Sequence, residues 1–209
     1  MIGILGAIHS DEMREEFNYS LERMKEIIDD FKPDIICGEV RLSDYTKYLD
    51  DESYNGYLGP NEYGRLILPY CKERNVMFVP IDHYEDESVG ISYEDNKSME
   101  EIAAFEKSFK KIMEEYLSYG HSSKLAFNSL RFNDFIRNKQ LLQKLFNEDV
   151  HQVYWEQRNK DMVQNITNTI KNNPDARILC IAGAEHSYWF CDELQQLNHN
   201  VIYPLVKEK

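Results

Sequence analysis

The sequence predicts an α/β fold with a mainly parallel central sheet built from βαβ units. Three observations carry that prediction: short apolar runs bounded by turn residues, segments of helical periodicity between them, and a length of 209 residues. That length suits one α/β domain and falls short of two full ones. The apolar runs lie at 2–5, 34–37, 76–81 and 178–182, with a fifth at 201–206. Each is apolar at successive positions, as expected of parallel strands covered on both faces.

Taken in order, the first strand is followed by Met13, Phe17, Leu21, Met24, Ile28 and Phe31 at intervals of three or four, which predicts one helix closed by Pro33. Residues 62–74 read as a second helix leading into the third strand. The segment 84–97 is acidic, carries Gly90 and reads as a solvated loop. Ser98 and Glu101 then form a capping box ahead of an apolar stripe of Ile102, Phe105, Phe109, Ile112 and Tyr116, which Gly120 ends. Helical stretches at 123–146 and 150–172 precede the fourth strand. The third and fourth core strands are therefore separated by a mostly helical insertion, about 98–149, too long for an ordinary crossover. It is expected to cover one end of the sheet within a single domain, 1–209, and not to form a domain of its own.

Lys+Arg 24 against Asp+Glu 37 gives a net charge of −13. Binding to phosphate backbones runs on Lys and Arg, so nucleic acid and anionic membrane surfaces are not expected partners. Hydrophobic residues make up 42% of the chain, too many for disorder, and the mean hydropathy of −0.61 is too low for a membrane protein. No run approaches the ~20 apolar residues of a membrane span. The opening residues have no basic stretch and reach His9 and Asp11 at once, so a cytoplasmic location is expected. Cys37, Cys71, Cys180 and Cys191 show no metal-binding spacing and read as small core hydrophobes.

Ligands of open parallel sheets bind beyond the carboxyl ends of the strands. The first four strands end at His9, Glu39, Asp82-His83 and Glu185-His186. Two His and a carboxylate form an N₂O set with positions left for water, as in catalytic centres of Zn, Mn, Fe or Co. His9, Glu39 and His186 are therefore the candidate metal ligands. Gly6-Ala7-Ile8-His9 and Gly183-Ala184-Glu185-His186 repeat one GxxH pattern, in which the glycine gives a sharp turn and room for a ligand. A lone GxxH equally suits a hydrogen-bonded rim histidine; the doubled motif beside carboxylates points to a shared site. Glu185 or Asp82 would serve as general base or as the acceptor that fixes an imidazole tautomer.

Trp155, Arg158, Met162 and Ile166 share one helix face, so Arg158 interrupts an inward stripe. It either pairs with Glu39, Asp82 or a substrate oxyanion, or packs its stem on the core with its head in water. Asn159 and Asp161 either support that turn or face solvent. The segment 45–63 holds five tyrosines with Gly56, Gly59 and Pro60, and reads either as a lid or as a packed surface loop. His83, His121, His151 and His199 read as structural or exposed, His83 being set apart by its strand-end position. No GxSxG elbow, P-loop or HExxH is present.

These motifs resemble the TraB/GumN (TIKI) family, within the superfamily that also holds erythromycin esterase-like and ChaN-like proteins. The matching stretches are Gly6-Ala7-Ile8-His9, Gly38-Glu39, Ile81-Asp82, Arg158 to Met162, and Gly183-Ala184-Glu185-His186. They cover roughly 1–82 and 150–205, while the insertion is unmatched. The resemblance implies two GxxH motifs, a Glu after the second strand and an Arg, gathered at one edge of an α/β core. It also implies one of three activities: divalent-metal-dependent peptidase, lactone or ester hydrolase using a His base without a firmly required metal, or haem binding. The leading expectation is a metal-assisted hydrolase of an amide or ester bond in a peptide or small molecule. The alternatives are a metal-independent esterase and a non-catalytic haem- or peptide-binding protein.

Overall fold

The computed structural model describes residues 1–51, 54, 56, 58–82, 92–121 and 125–205. Strands β1 (Ile2–Ala7), β2 (Ile35–Arg41), β3 (Met77–Asp82), β4 (Ile178–Gly183) and β5 (Val201–Ile202) form one all-parallel sheet in the order β3-β2-β4-β1-β5. The fold is thus α/β with a parallel central sheet. Every residue of β1 and β4 is buried, as their unbroken apolar composition requires. Successive side chains point to opposite faces. Leu5, Ile36, Leu179 and Ile181 join a core with Met24 and Ile28 of α2 (Leu21–Phe31) and Leu68 of α4 (Leu68–Arg74). Ile4, Cys37 and Cys180 join another with Met162 and Ile166 of α8 (Arg158–Asn172) and Phe190 and Leu194 of α9 (Ser187–Gln196). All four cysteines are free and buried.

The strand order positions the site. The chain leaves β1, skips one place to lay down β2 and then β3, and returns to insert β4 between β1 and β2. The carboxyl ends of β2, β4 and β1 therefore lie side by side at the sheet centre, where the connections diverge and open a crevice.

Four local expectations change. The helix expected from Met13 to Phe31 is two helices, α1 (Asp11–Glu16) and α2, because Asn18 turns into the left-handed region at φ 50° and Ser20 caps a new start by accepting from the Arg23 N–H. The tyrosine-rich segment is not loop throughout, since Tyr45 and Tyr48 lie on α3 (Leu42–Asp50); Glu52, Ser53, Asn55 and Tyr57 lie outside the described residues. The helix expected at 62–74 opens with a wide π turn, Tyr63–Ile67, before α4. The fifth strand pairs only over Val201–Ile202. Of the loop expected at 84–97, residues 84–91 lie outside the described residues, as does His83.

Between β3 and β4 the described residues are mostly helical: α5 (Met99–Gly120), a 3₁₀ turn (Ala126–Asn128), α6 (Leu130–Phe146), α7 (Glu148–His151), a second π turn (Gln152–Gln157) and α8. The Ser98–Glu101 capping box starts α5. The buried amide of Asn128 ties this block to the sheet, accepting from the Gly6 N–H at 2.7 Å and donating to the Gly6 carbonyl at 3.0 Å. Among the described residues, no helix is long and apolar enough to cross a membrane.

Candidate functional site

Glu39 occupies the centre of the crevice. Beyond the Gly38–Ile181 pair the β2–β4 ladder stops, and the fully buried Tyr63 fills the gap. Its hydroxyl accepts from the Glu39 N–H and donates to the Ile181 carbonyl, both at 2.7 Å. The Glu39 carboxylate, 5% exposed, then reaches β4, where Oε2 accepts from the Gly183 N–H at 2.7 Å. Arg158 donates to Oε1 at 2.5 Å and grips both oxygens of Asp82 at 2.9 and 3.0 Å. The Arg that interrupts the α8 stripe thus pairs with two of the partners its burial demanded. Burial alone would raise the Glu39 pKa, but His186, Arg158, His9 and the Gly183 N–H hold it down at about 2, so Glu39 stays ionised.

Two imidazoles flank this carboxylate. His9 Nε2 lies 3.6 Å from Glu39 Oε2 and His186 Nε2 lies 3.8 Å from Oε1. Each ring is fixed at its other nitrogen. His9 Nδ1 donates to Glu62 Oε1 at 2.7 Å, and Glu62 is fully buried against Arg14 at 3.4 Å. His186 Nδ1 donates to Asn159 Oδ1 at 2.7 Å; the amide orientation is set by Asn159 Nδ2, which donates to the Trp155 carbonyl at 2.7 Å. With both Nδ1 protons committed, the neutral rings present Nε2 lone pairs toward Glu39.

The two histidines titrate apart. Burial lowers the His9 pKa, but the Glu62 hydrogen bond and the Glu39 charge outweigh it, and the net shift is upward. Burial dominates at His186, which Trp155 covers face to face at 4.6 Å, and Arg158 adds to it against the pull of Glu39, leaving a pKa of about 4.

The GxxH glycines provide room. Neither adopts a left-handed backbone, and Gly183 ends β4 directly before a 3₁₀ turn, Ala184–His186. A Cβ on Gly183 would stand 2.6 Å from His9 Nε2, and one on Gly6 would stand 2.8 Å from Ala184 Cα. Because β1 and β4 are neighbours, the two motifs interlock, each glycine making space for the other motif.

All six singled-out residues, His9, Glu39, Asp82, Arg158, Glu185 and His186, lie at this end of the sheet. Asp82 reaches the centre through Arg158. Glu185 lines the cavity, but Lys139 binds both its oxygens at 2.6 Å. The acceptors that fix the imidazoles are Glu62 and Asn159, which the sequence reading does not pick out for that role. Arg14 is buried on α1, three residues before the buried Phe17, so it too is a charge among inward residues; nothing local marks Glu62, which meets His9 across 53 residues.

His9, Glu39, Arg158, Glu185 and His186 line a cavity of about 350 Å³, together with Met13, Tyr116, Phe127 and Trp155. The donor set fits a divalent ion in kind, with two tautomer-fixed imidazoles and an ionised carboxylate. Its spacing does not yet: among the described residues, no group of three His, Cys, Asp or Glu side chains stands close enough to hold a metal ion. The side chain of His9 is 39% exposed, those of Glu39 and His186 only 6%. No family model, curated protein or solved structure matches this chain.

Proposed function

We propose that this chain is a hydrolase of the TraB/GumN (TIKI) type, cleaving an amide or ester bond of a peptide or small molecule at His9, Glu39 and His186 with the help of a divalent metal ion. The observation that carries this reading is the pair of Nδ1-anchored imidazoles facing opposite oxygens of one buried, ionised carboxylate at the wall of a ligand-sized cavity. Bound Mn, Co, Zn or Fe would supply a water of lowered pKa and a Lewis acid for the scissile carbonyl. The protein's own part is preorganisation. Glu62 and Asn159 hold the rings in one tautomer, Arg158 and the Gly183 N–H hold Glu39 ionised, and Trp155 shields His186 from water.

A second reading needs no metal, and the opposed shifts of the two histidines favour it. His186, neutral at pH 7, would take the proton of an attacking water at Nε2, while His9, more readily protonated, would give one to the leaving group.

Chelation followed by reconstitution separates these readings. With peptide amides and aryl esters as substrates, turnover restored by Mn, Co or Zn and lost in His9→Ala and His186→Ala is expected. Turnover that survives chelation but depends on both histidines would establish the metal-free route. No turnover of any substrate together with no metal uptake would refute both, and a Soret band on haem titration would then assign the cavity to binding.

A further inference from the structure

The cavity has two unlike halves. The floor is polar, formed by His9, Glu39 and His186. The rest of the lining is largely apolar and comes mostly from the helical block: Tyr116 on α5, Phe127 on the 3₁₀ turn and Trp155 on the second π turn, with Met13 of α1. Phe127 and Tyr116 are 3% and 6% exposed, whereas the His9 side chain is 39% exposed. The mouth is therefore at the β1–α1 junction and the aromatic wall at the inner end.

The cations nearest the cavity are already engaged. Arg158 is held by Glu39 and Asp82, and Lys139 by both oxygens of Glu185. A carboxylate or phosphate entering here would meet Glu39 and Glu185 with neither of those cations released to receive it, and desolvating an unpaired charge is costly. A volume of about 350 Å³ is at the small end of ligand sites. At ~30 Å³ per water it corresponds to about twelve water-sized groups.

We propose that this cavity is an acyl pocket for an uncharged substrate. It takes the apolar acyl or side-chain portion of a neutral ester or amide, of about six carbons or one phenyl ring, against Tyr116, Phe127 and Trp155. The carbonyl is then left over Glu39 and the imidazoles. The orientation of the carbonyl rests on the hydrolase reading; the size and neutrality of the bound group do not.

Binding and turnover test the two separately. Hexanamide and phenylacetamide, titrated calorimetrically into the intact protein after chelation of any metal, are expected to bind at least tenfold more tightly than hexanoate and phenylacetate at pH 7.5. Met13→Trp, which narrows the half-exposed mouth without touching the polar floor, is expected to weaken hexanamide at least tenfold with the circular dichroism unchanged. In a p-nitrophenyl ester series, kcat/KM is expected to climb about fourfold per methylene (~0.8 kcal/mol) up to six carbons and then to fall. Equal binding of amide and acid, or no binding of either amide at 10 mM, would overturn the proposal. Amide binding without turnover of any ester or amide would leave the pocket standing and remove the hydrolase reading instead.

Discussion

Tyr63→Phe removes one oxygen atom and should cost far more than its size suggests. The Tyr63 hydroxyl bridges β2 and β4 beyond their last paired residues, receiving the Glu39 N–H and donating to the Ile181 carbonyl, both at 2.7 Å. Tyr63 is fully buried, and burial with the nearby carboxylates Glu39 and Glu62 pushes its pKa well above the usual phenol value, so it stays a donor at any working pH. Phenylalanine fills the same space but leaves a buried N–H and a buried carbonyl unpartnered. Each unmade bond costs about 1–3 kcal/mol; with partial relaxation the pair should cost about 2–4 kcal/mol. For a urea m-value of about 2.5 kcal/mol/M, the unfolding midpoint should fall by about 0.8–1.6 M with m unchanged. Equilibrium unfolding followed by circular dichroism measures this directly. A shift below about 0.3 M would show that the hydroxyl does not bridge the two strands.

Other perturbations test the centre itself. Arg158→Met leaves Glu39 and Asp82 buried without their shared cation, and should lower stability by about 3–5 kcal/mol; adding Asp82→Asn should recover part of that loss in urea titrations. Gly183→Ala places a Cβ 2.6 Å from His9 Nε2, so turnover should drop at least tenfold while the melting temperature moves little, the His9 side chain being half-exposed; an unchanged rate would mean that the ring is not needed where it sits. Glu62→Gln removes the charged acceptor that, together with Glu39, outweighs burial at His9, and the His9 pKa followed by proton NMR should fall. Stability should also depend on acid in a defined way. His186 titrates near 4 in the folded protein against about 6.5 unfolded. The unfolded chain therefore binds the extra proton, and stability is lost as pH falls from about 6.5 to 4, by up to about 3 kcal/mol. Glu39, held at about 2, adds a further loss below about 4.5. His186→Gln should flatten the first of these slopes in urea midpoints taken across that range, and an unchanged slope would place the acid sensitivity elsewhere.

Where sequence and structure part company follows from how far each signal travels along the chain. The strands are legible because burial on both faces demands uninterrupted apolar residues, and 2–5, 35–37, 76–81 and 178–182 have them. The split between α1 and α2 is harder to see, because the apolar period runs straight through while a single Asn18 in the left-handed region breaks the backbone. Arg158 is legible as a charge on an inward face, a conflict that periodicity exposes.

By itself, then, the sequence determined a parallel α/β sheet, a helical block between its third and fourth strands, and a set of chemically capable residues at the strand ends. Only the tertiary structure decided their order and partners. Inserting β4 between β1 and β2 brings His9, Glu39 and Gly183 together. Glu62 and Asn159, 53 and 27 residues from the histidines they hold, become partners for the same physical reason. Hydrogen bonds act over about 3 Å of space and not along the chain, so no local pattern of residues records which buried donor will meet which acceptor.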